Sequence, residues 1–105
     1  MPWLKLRAVV VLPDAQAEIA EARKHYQRID ESIDGLKWLL SRNPQPAGSF
    51  PTVLNHIQFT MYGWRGTGDV GMPDMWVVYA FDDDEVQIHG INAMEPGKDE
   101  EEGEE

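Results

Sequence analysis

Three residues in the second half of the chain are of types that move protons or hold phosphate: His56, His89 and Arg65. An imidazole titrates near neutral pH, so the two histidines could form an acid–base pair if neighbouring strands bring them to one face. Arg65 would then stabilise a developing negative charge. The three are the candidate catalytic residues, although a histidine on a sheet surface is more often only a polar side chain.

A glycine-rich segment, residues 62–74, and the strand after it provide candidates for binding a partner. Aromatic and Arg side chains are favoured at protein interfaces, so these residues can form a recognition edge. The alternative is that the rings fill the core, and strand alternation requires at least one of Trp76 and Tyr79 to point inward. The candidate partner-binding residues are Tyr62, Trp64, Arg65 and Trp76.

No cofactor and no metal are expected from the sequence. The chain has no cysteine, which excludes thiolate zinc ligands and a disulfide framework. The acidic run at 82–85 lacks the ligand spacing of a calcium loop and favours a tight turn between strands. The glycines of 66–71 resemble a nucleotide fingerprint only superficially, because no helix pattern follows them.

The net charge of −10 is distributed unevenly along the chain. Residues 95–105 hold seven acidic side chains and one Lys, a net charge of −6, which leaves −4 for residues 1–94. A run of this kind repels itself and buries nothing. We therefore expect a domain over residues 1–95 and a disordered acidic tail over 96–105. The tail is either a solubilising end or a mimic of nucleic acid that docks on a basic partner.

The length of 105 residues allows one domain, and 42 % hydrophobic residues provide a core of modest size. A broad basic face is hard to build in so acidic a chain, so direct nucleic-acid binding is not expected without a partner protein. No apolar run approaches the ~20 residues of a membrane span, and the first residues do not resemble a signal peptide. These features predict a cytoplasmic protein without a membrane segment.

The spacing of apolar residues predicts the order of elements. Residues 3–12 form a strand, and an apolar stripe of helical period follows. The stripe predicts either one helix over 14–42 or a helical hairpin with its turn within 28–35. Its heptad spacing is also compatible with a coiled-coil homodimer, although one helix face covering a sheet is the favoured explanation. The residues of the stripe are Ile19, Ala22, Tyr26, Ile29, Ile33, Leu36 and Leu40.

Three further strands are predicted after a proline-rich connection at 43–51. They cover residues 53–61, 75–81 and 85–93, and the turn between the last two is short. Strands joined in this way form an antiparallel meander. The predicted fold class is therefore α+β, with an N-terminal strand, one long helix or a helical hairpin, and a three-stranded meander packed on the helix.

This order resembles the RelE/ParE toxin superfamily over residues 5–94. The resemblance rests on a helix that ends in Leu-Leu-Ser-Arg-Asn-Pro44, a Gly after it, and the hairpin Trp76-Val-Val-Tyr-Ala-Phe-Asp-Asp-Asp-Glu-Val-Gln-Ile-His89. Proteins of that family belong to bacterial toxin–antitoxin pairs. The resemblance implies a small cytoplasmic toxin that is neutralised by an antitoxin and that acts on mRNA at the ribosome or on DNA gyrase.

The sequence departs from the family where RNA cleavage would occur. The Arg that usually precedes the Val-x-Tyr motif is Trp76, and the basic positions of the second predicted strand fall near His56 and Gln58. Residues 94–97 hold neither the Arg nor the Tyr usually found after the last strand. The ribonuclease residues of RelE-like members are therefore not matched. ParE-like members, which lack a catalytic motif, are matched no worse.

Two functions follow from these observations. The first is a RelE/ParE-like toxin-fold protein that acts by binding a macromolecular target, with an antitoxin, gyrase or the translation machinery as partner. The second is a non-catalytic acidic inhibitor or adaptor, of a kind that phages encode, that blocks a basic nucleic-acid-binding protein. A hydrolytic enzyme that uses His56 and His89 ranks third.

Overall fold

The structure is a computed structural model that describes residues 6–66 and 72–94. It is an α+β fold, as predicted, with two helices and one five-stranded sheet. The predicted tail at 96–105 and residues 67–71 of the glycine-rich segment lie outside the described residues. The elements are β1 (Ala8–Val11), α1 (Pro13–Arg23), α2 (Ile29–Arg42), β2 (Phe50–Leu54), β3 (Ile57–Trp64), β4 (Asp74–Phe81) and β5 (Glu85–Met94).

The strands lie in the order β1-β5-β4-β3-β2. β2 to β5 form an antiparallel meander, and β1 joins its far side by pairing with β5 in parallel. The meander therefore has four strands, where the sequence predicts three. Within the described ranges, neither helix is long and apolar enough to cross a membrane.

The helical stripe is divided between two helices. Pro13 starts α1 at a position where its missing N–H costs nothing. The chain then turns at residues 24–28. α2 brings it back to the start of β1, where the Arg7 N–H donates to the Ser41 carbonyl at 2.9 Å. Two helices are thus confirmed and the single long helix is wrong, but the turn lies at 24–28 and not within the predicted 28–35, which α2 occupies from residue 29. Ile19 and Ile29, on either side of the turn, are both buried in one core.

The strand predicted over 53–61 is also wrong as a single element, because it is a hairpin. Asn55 and His56 have φ of 52° and 67° and connect β2 to β3 as a two-residue turn. Left-handed φ at both central residues is the requirement of a type I′ turn, and Asn adopts it more easily than most residues. Leu54 and Ile57, which pair across the turn, are three residues apart, so the alternation changes phase there; a single strand over 53–61 would place them on opposite faces.

The hairpin also explains the proline of β2. Leu54 pairs with Ile57 next to the turn, so residues 54, 52 and 50 exchange backbone hydrogen bonds with β3. Pro51 and Val53 then direct their backbone groups to the outer edge of the sheet. Pro51 has no N–H to offer a further strand, which weakens this edge as a pairing site.

The core lies between the helices and one face of the sheet. β4 contributes Met75, Val77 and Tyr79, and α2 contributes Leu36 and Leu40, all at 1 % exposure or less. Burying a side chain of this size stabilises the fold by about 1.5–3 kcal/mol. The other members of the core are Ala15, Ile19, Ile29, Ile33, Val86, Ile88 and Ile91.

Tyr79 connects this core to the proline-rich connection. Its buried hydroxyl donates to the Pro44 carbonyl at 2.7 Å, where α2 has ended and the chain returns to the sheet. Burial, with a smaller effect from the nearby Tyr62 hydroxyl, raises the pKa of Tyr79 to about 12. The side chain therefore fixes the path by which the chain leaves the helix layer.

We expect Tyr79→Phe to lower the free energy of unfolding at neutral pH by about 1–2 kcal/mol, because the Pro44 carbonyl loses its donor. In the unfolded chain a tyrosine ionises near pH 10. The unfolded state therefore loses this proton first, and wild-type stability falls as pH rises from about 10 to about 12. Urea unfolding across that range tests both points.

The phenylalanine variant should lack this part of the alkaline fall, and Tyr26→Phe serves as the control. A Tyr79→Phe protein as stable as wild type, with the same alkaline profile, would contradict the role given to the hydroxyl.

A second prediction concerns the hairpin turn. We expect His56→Gly to stabilise the fold by about 0.5–1 kcal/mol, because glycine adopts the φ of 67° without strain and Asn-Gly is the preferred type I′ pair. Asn55→Ala should destabilise by about the same amount. The midpoints of urea unfolding measure both, and a destabilised His56→Gly protein would show that the imidazole itself contributes to folding.

Candidate functional site

The sheet has a second face that the helices do not cover, and we call it the open face. Its side chains alternate along each strand with those of the core. Both helices pack on the core side, and within residues 6–66 and 72–94 no element lies over the open face. Its members are Phe50, Thr52 and Leu54 of β2, Ile57, Phe59 and Met61 of β3, Trp76, Val78 and Ala80 of β4, and Glu85, Gln87, His89, Gly90 and Asn92 of β5.

The open face is apolar over β2, β3 and β4. The exposed fraction is 42 % for Phe50 and 57 % for Ile57, large values for such side chains. Next to Phe50, Met61 and Val78 sit side by side in the pairing of β3 with β4. A groove of about 460 Å³ runs over this region. It is lined by Glu18, Phe50, Met61, Trp76, Val78, Gly90, Ile91 and Asn92.

Trp76 forms one wall of this groove, and a glycine makes room for it. Gly63 faces Trp76 across the β3–β4 pair, and a Cβ on Gly63 would lie 3.2 Å from the indole ring. The indole therefore lies over the Gly63 backbone. Phe50 meets it edge to face, with ring centroids 6.2 Å apart. This arrangement is favourable for aromatic pairs and fixes the shape of the wall.

Glu18 of α1 closes the groove at its β5 end, away from Phe50. β1 ends at Val11, so the next outward N–H groups of β5 have no strand partner. The Glu18 Oε1 atom accepts the Ile91 N–H at 2.7 Å and takes the place of that partner. A carboxylate is thus held at the rim of an apolar groove by a hydrogen bond to the backbone.

The four predicted partner-binding residues come together around a smaller cavity of about 200 Å³ at the end of β3 and the start of β4. Tyr62, Trp64, Arg65 and Trp76 all line it. They do so from both faces, because Tyr62 and Trp64 pack against the core whereas Trp76 lies on the open face. The alternation argument is confirmed, since Tyr79 is fully buried and Trp76 is not.

Arg65 lies at the mouth of this cavity beside Asp74. Its Nη1 atom is 3.7 Å from the Asp74 Oδ2 atom, and the other carboxylate oxygen accepts the Gly66 N–H at 2.6 Å. Asp74 is buried, and burying a negative charge costs free energy. Its contacts with Arg65 and the Gly66 N–H, where the glycine-rich segment leaves the sheet, offset this cost. This contact gives Arg65 a structural role in closing the end of the sheet.

The structure separates the two candidate catalytic histidines. His56 is in the β2–β3 turn, not on a strand as predicted, and it is exposed. His89 is on β5, which is not a neighbour of β3 because β4 lies between them. His89 occupies the β5 bulge opposite residues 78–79, and its ring packs on Phe59 with centroids 4.8 Å apart. The expected sharing of one face by adjacent strands is therefore not found.

Carboxylates dominate the charge around the open face. Glu85 is on it, where its Oε1 atom accepts the Gln87 side-chain amide at 2.8 Å, and Glu18 stands at the rim. Among the residues that the structure describes after Asn43, Arg65 is the one Lys or Arg. Nor do any three His, Asp or Glu side chains of the described ranges form a metal-binding group. The acidic run at 82–85 forms the predicted turn, where Asp82 Oδ1 accepts the N–H groups of Asp84 and Glu85 at 2.8 Å each.

Most of the groove is not predicted from the sequence. The sequence pattern places Phe50 in a connection, and it assigns Met61 and Val78 to strands without giving them a role. One signal does point to them. The residues of β4, Met-Trp-Val-Val-Tyr-Ala-Phe, are apolar without alternation, which is typical of a strand covered on both faces. A single helix layer covers only one of the two faces of the sheet, so the other apolar face of β4 stays uncovered.

Comparison with family models, curated proteins and solved structures gives no match to this chain.

We expect Gly63→Ala to displace the Trp76 indole, because the new Cβ would lie tighter against the ring than side chains normally pack. The cost should be about 1 kcal/mol of stability, with a changed indole N–H signal of Trp76 in the NMR spectrum. Gly90→Ala is the matched control on the same face, since its Cβ would meet nothing nearer than the Glu18 Oε1 atom at 3.6 Å. Equal effects of the two substitutions would show that Gly63 does not position the ring.

Proposed function

We propose that this chain is a RelE/ParE-like toxin-fold protein that acts by binding a protein target through its open face and does not cleave RNA. The observation that carries the proposal is the uncovered apolar surface around Phe50, Met61, Trp76 and Val78. Contiguous exposed apolar surface of this kind marks interaction sites, because leaving it in water costs free energy that a partner recovers. An antitoxin, gyrase and the translation machinery are the proposed partners.

The charges support binding in preference to phosphate chemistry. A site that cleaves RNA has to offset the charge of the phosphate with cations aimed at it. The open face instead carries Glu85 and has Glu18 at its rim, and Arg65 is engaged with Asp74. Arg23, Lys24 and Arg28 also have acidic neighbours, as in the Arg23–Asp30 pair at 2.7 Å, where Arg23 lowers the pKa of the carboxyl.

A second candidate is favoured by the same charges. An acidic inhibitor or adaptor would use the open face to block a basic nucleic-acid-binding protein. The net charge of −10 speeds encounter with such a target by long-range attraction. The two candidates differ in their effect on a cell, since a toxin stops growth whereas an inhibitor of this kind need not.

Induced expression in a bacterium tests the proposal. We expect growth to stop with the wild-type chain and to continue with Phe50→Ser, which removes an aromatic side chain from the open face. Val53→Ser is the matched control, because Val53 is on the same strand, is 64 % exposed and points away from that face. It should arrest growth like the wild type.

Unchanged growth with the wild-type chain at a high soluble yield would reject the toxin function and leave the inhibitor as the better candidate. Growth arrest by the Phe50→Ser protein as strong as that by the wild type would reject the open face as the binding surface. RNA cleavage by the purified protein, lost in Arg65→Ala, would reject the non-nucleolytic mechanism.

A further inference from the structure

We propose that the segment that binds the open face is an amphipathic helix with apolar residues on one side and Lys or Arg residues along its flanks. This inference rests on the proposed function in taking the open face as a protein-binding surface. It adds the chemistry and the shape of the segment that the face accepts.

The apolar part of the recognition comes from the groove. Phe50 and Trp76 stand edge to face at one end, and Met61 and Val78 form the floor between β3 and β4. Gly90 continues the floor onto β5, where the absence of a side chain keeps the groove open. The volume of about 460 Å³ accommodates several aliphatic side chains side by side. An occupant therefore needs a stripe of apolar residues, not a single one.

The negative charge around the groove determines which residues the bound helix carries beside its apolar stripe. Glu18 is held in place by the Ile91 N–H, and Glu85 is held by the Gln87 amide. Glu18 lines the groove on its β5 side, whereas Glu85 lies outside the groove, on the same face at the start of β5. In the described part of the open face they are accompanied by no Lys or Arg except Arg65, which lies 3.7 Å from Asp74. Basic residues beside the apolar stripe would meet complementary charge.

The same charge disfavours a second copy of this chain as the occupant. Each chain carries −10, and the described part of the open face offers no Lys or Arg other than Arg65 to meet Glu18 or Glu85 of a second copy. Like charges brought together in an interface oppose association. A partner of opposite sign avoids this cost.

The structure favours a helix over a strand for two reasons. A strand that pairs with the β2 edge, beside Phe50, meets Pro51, which faces outward and provides no N–H. A helix needs no free edge, because it packs on the face of a sheet by side chains alone. With a diameter of about 10 Å it covers about two strand spacings of about 4.8 Å, which matches the width of the groove from β3 to β5. The result is a sheet with helices on both faces, a stable layer arrangement.

Two synthetic peptides of about 18 residues test the inference. Both carry leucine at helical spacing, and the remaining positions are mainly Lys in one and mainly Glu in the other. Binding to the full chain is measured by fluorescence anisotropy of the labelled peptides at several salt concentrations. We expect the Lys peptide to bind at least about tenfold more tightly than the Glu peptide, with an affinity that falls as salt rises.

Variants of the protein locate the binding. Phe50→Ser should weaken the Lys peptide about tenfold, whereas Val53→Ser should leave it within about twofold. The double variant Glu18→Gln, Glu85→Gln should weaken it about threefold and reduce its salt dependence. In this variant the amide oxygen introduced at position 18 still accepts the Ile91 N–H, so the rim keeps its shape and loses only its charge.

The inference is overturned if the Glu peptide binds as well as the Lys peptide, if neither binds, or if the Phe50→Ser protein binds both unchanged. It is also overturned if sedimentation shows a dimer that Phe50→Ser dissociates, because a second copy would then be the occupant. The outcome is distinguishable from that of the growth experiment. Growth arrest lost in Phe50→Ser without peptide binding rejects only the chemistry of the occupant, and peptide binding without growth arrest rejects only the toxin function.

Discussion

β4 lies at the centre of the five-stranded sheet, and both of its faces are apolar. Its backbone groups are satisfied by β3 and β5, so its side chains decide what each face of the sheet contacts. Val77 and Tyr79 require an apolar cover, which the two helices supply. Trp76 and Val78 also require an apolar cover, on the open face, and no element of the described residues provides one. One strand therefore both holds the domain together and leaves it with a surface that favours a partner.

The features of the fold that depend on side-chain period could be predicted from the sequence. The stripe that includes Ile19, Ile29 and Leu40 is the core face of the helix layer, because burial acts on every third or fourth residue of a helix. The break in that layer could not be located, since the stripe stays in phase across the turn at 24–28. The turn at Asn55 and His56 could not be located either, because two polar residues are a short interruption and the residues on both sides of it favour a strand.

The candidate site was predicted in its composition but not in its position. Tyr62, Trp64, Arg65 and Trp76 do gather around one cavity, because adjacent strands bring the end of β3 beside the start of β4. The broader groove depends on pairing between strands, which one sequence does not specify. The presence of Phe50 beside Trp76 follows from a register that is set by the unpredicted turn. Non-local pairing is thus what the sequence could not provide.

The fold and the charge of this chain constrain its function in different ways. A helix-backed sheet offers a face of fixed shape, and many sequences could build one. What the face can hold depends on the side chains that the strands place there. A phosphate brought near Glu85 and Glu18 would lose hydration and be repelled by both carboxylates. A cation on an apolar segment would be attracted by them, while the segment covers the exposed apolar surface of the groove. The carboxylates on and beside the open face therefore favour a basic segment over a phosphate, which is the basis of the proposed protein partner.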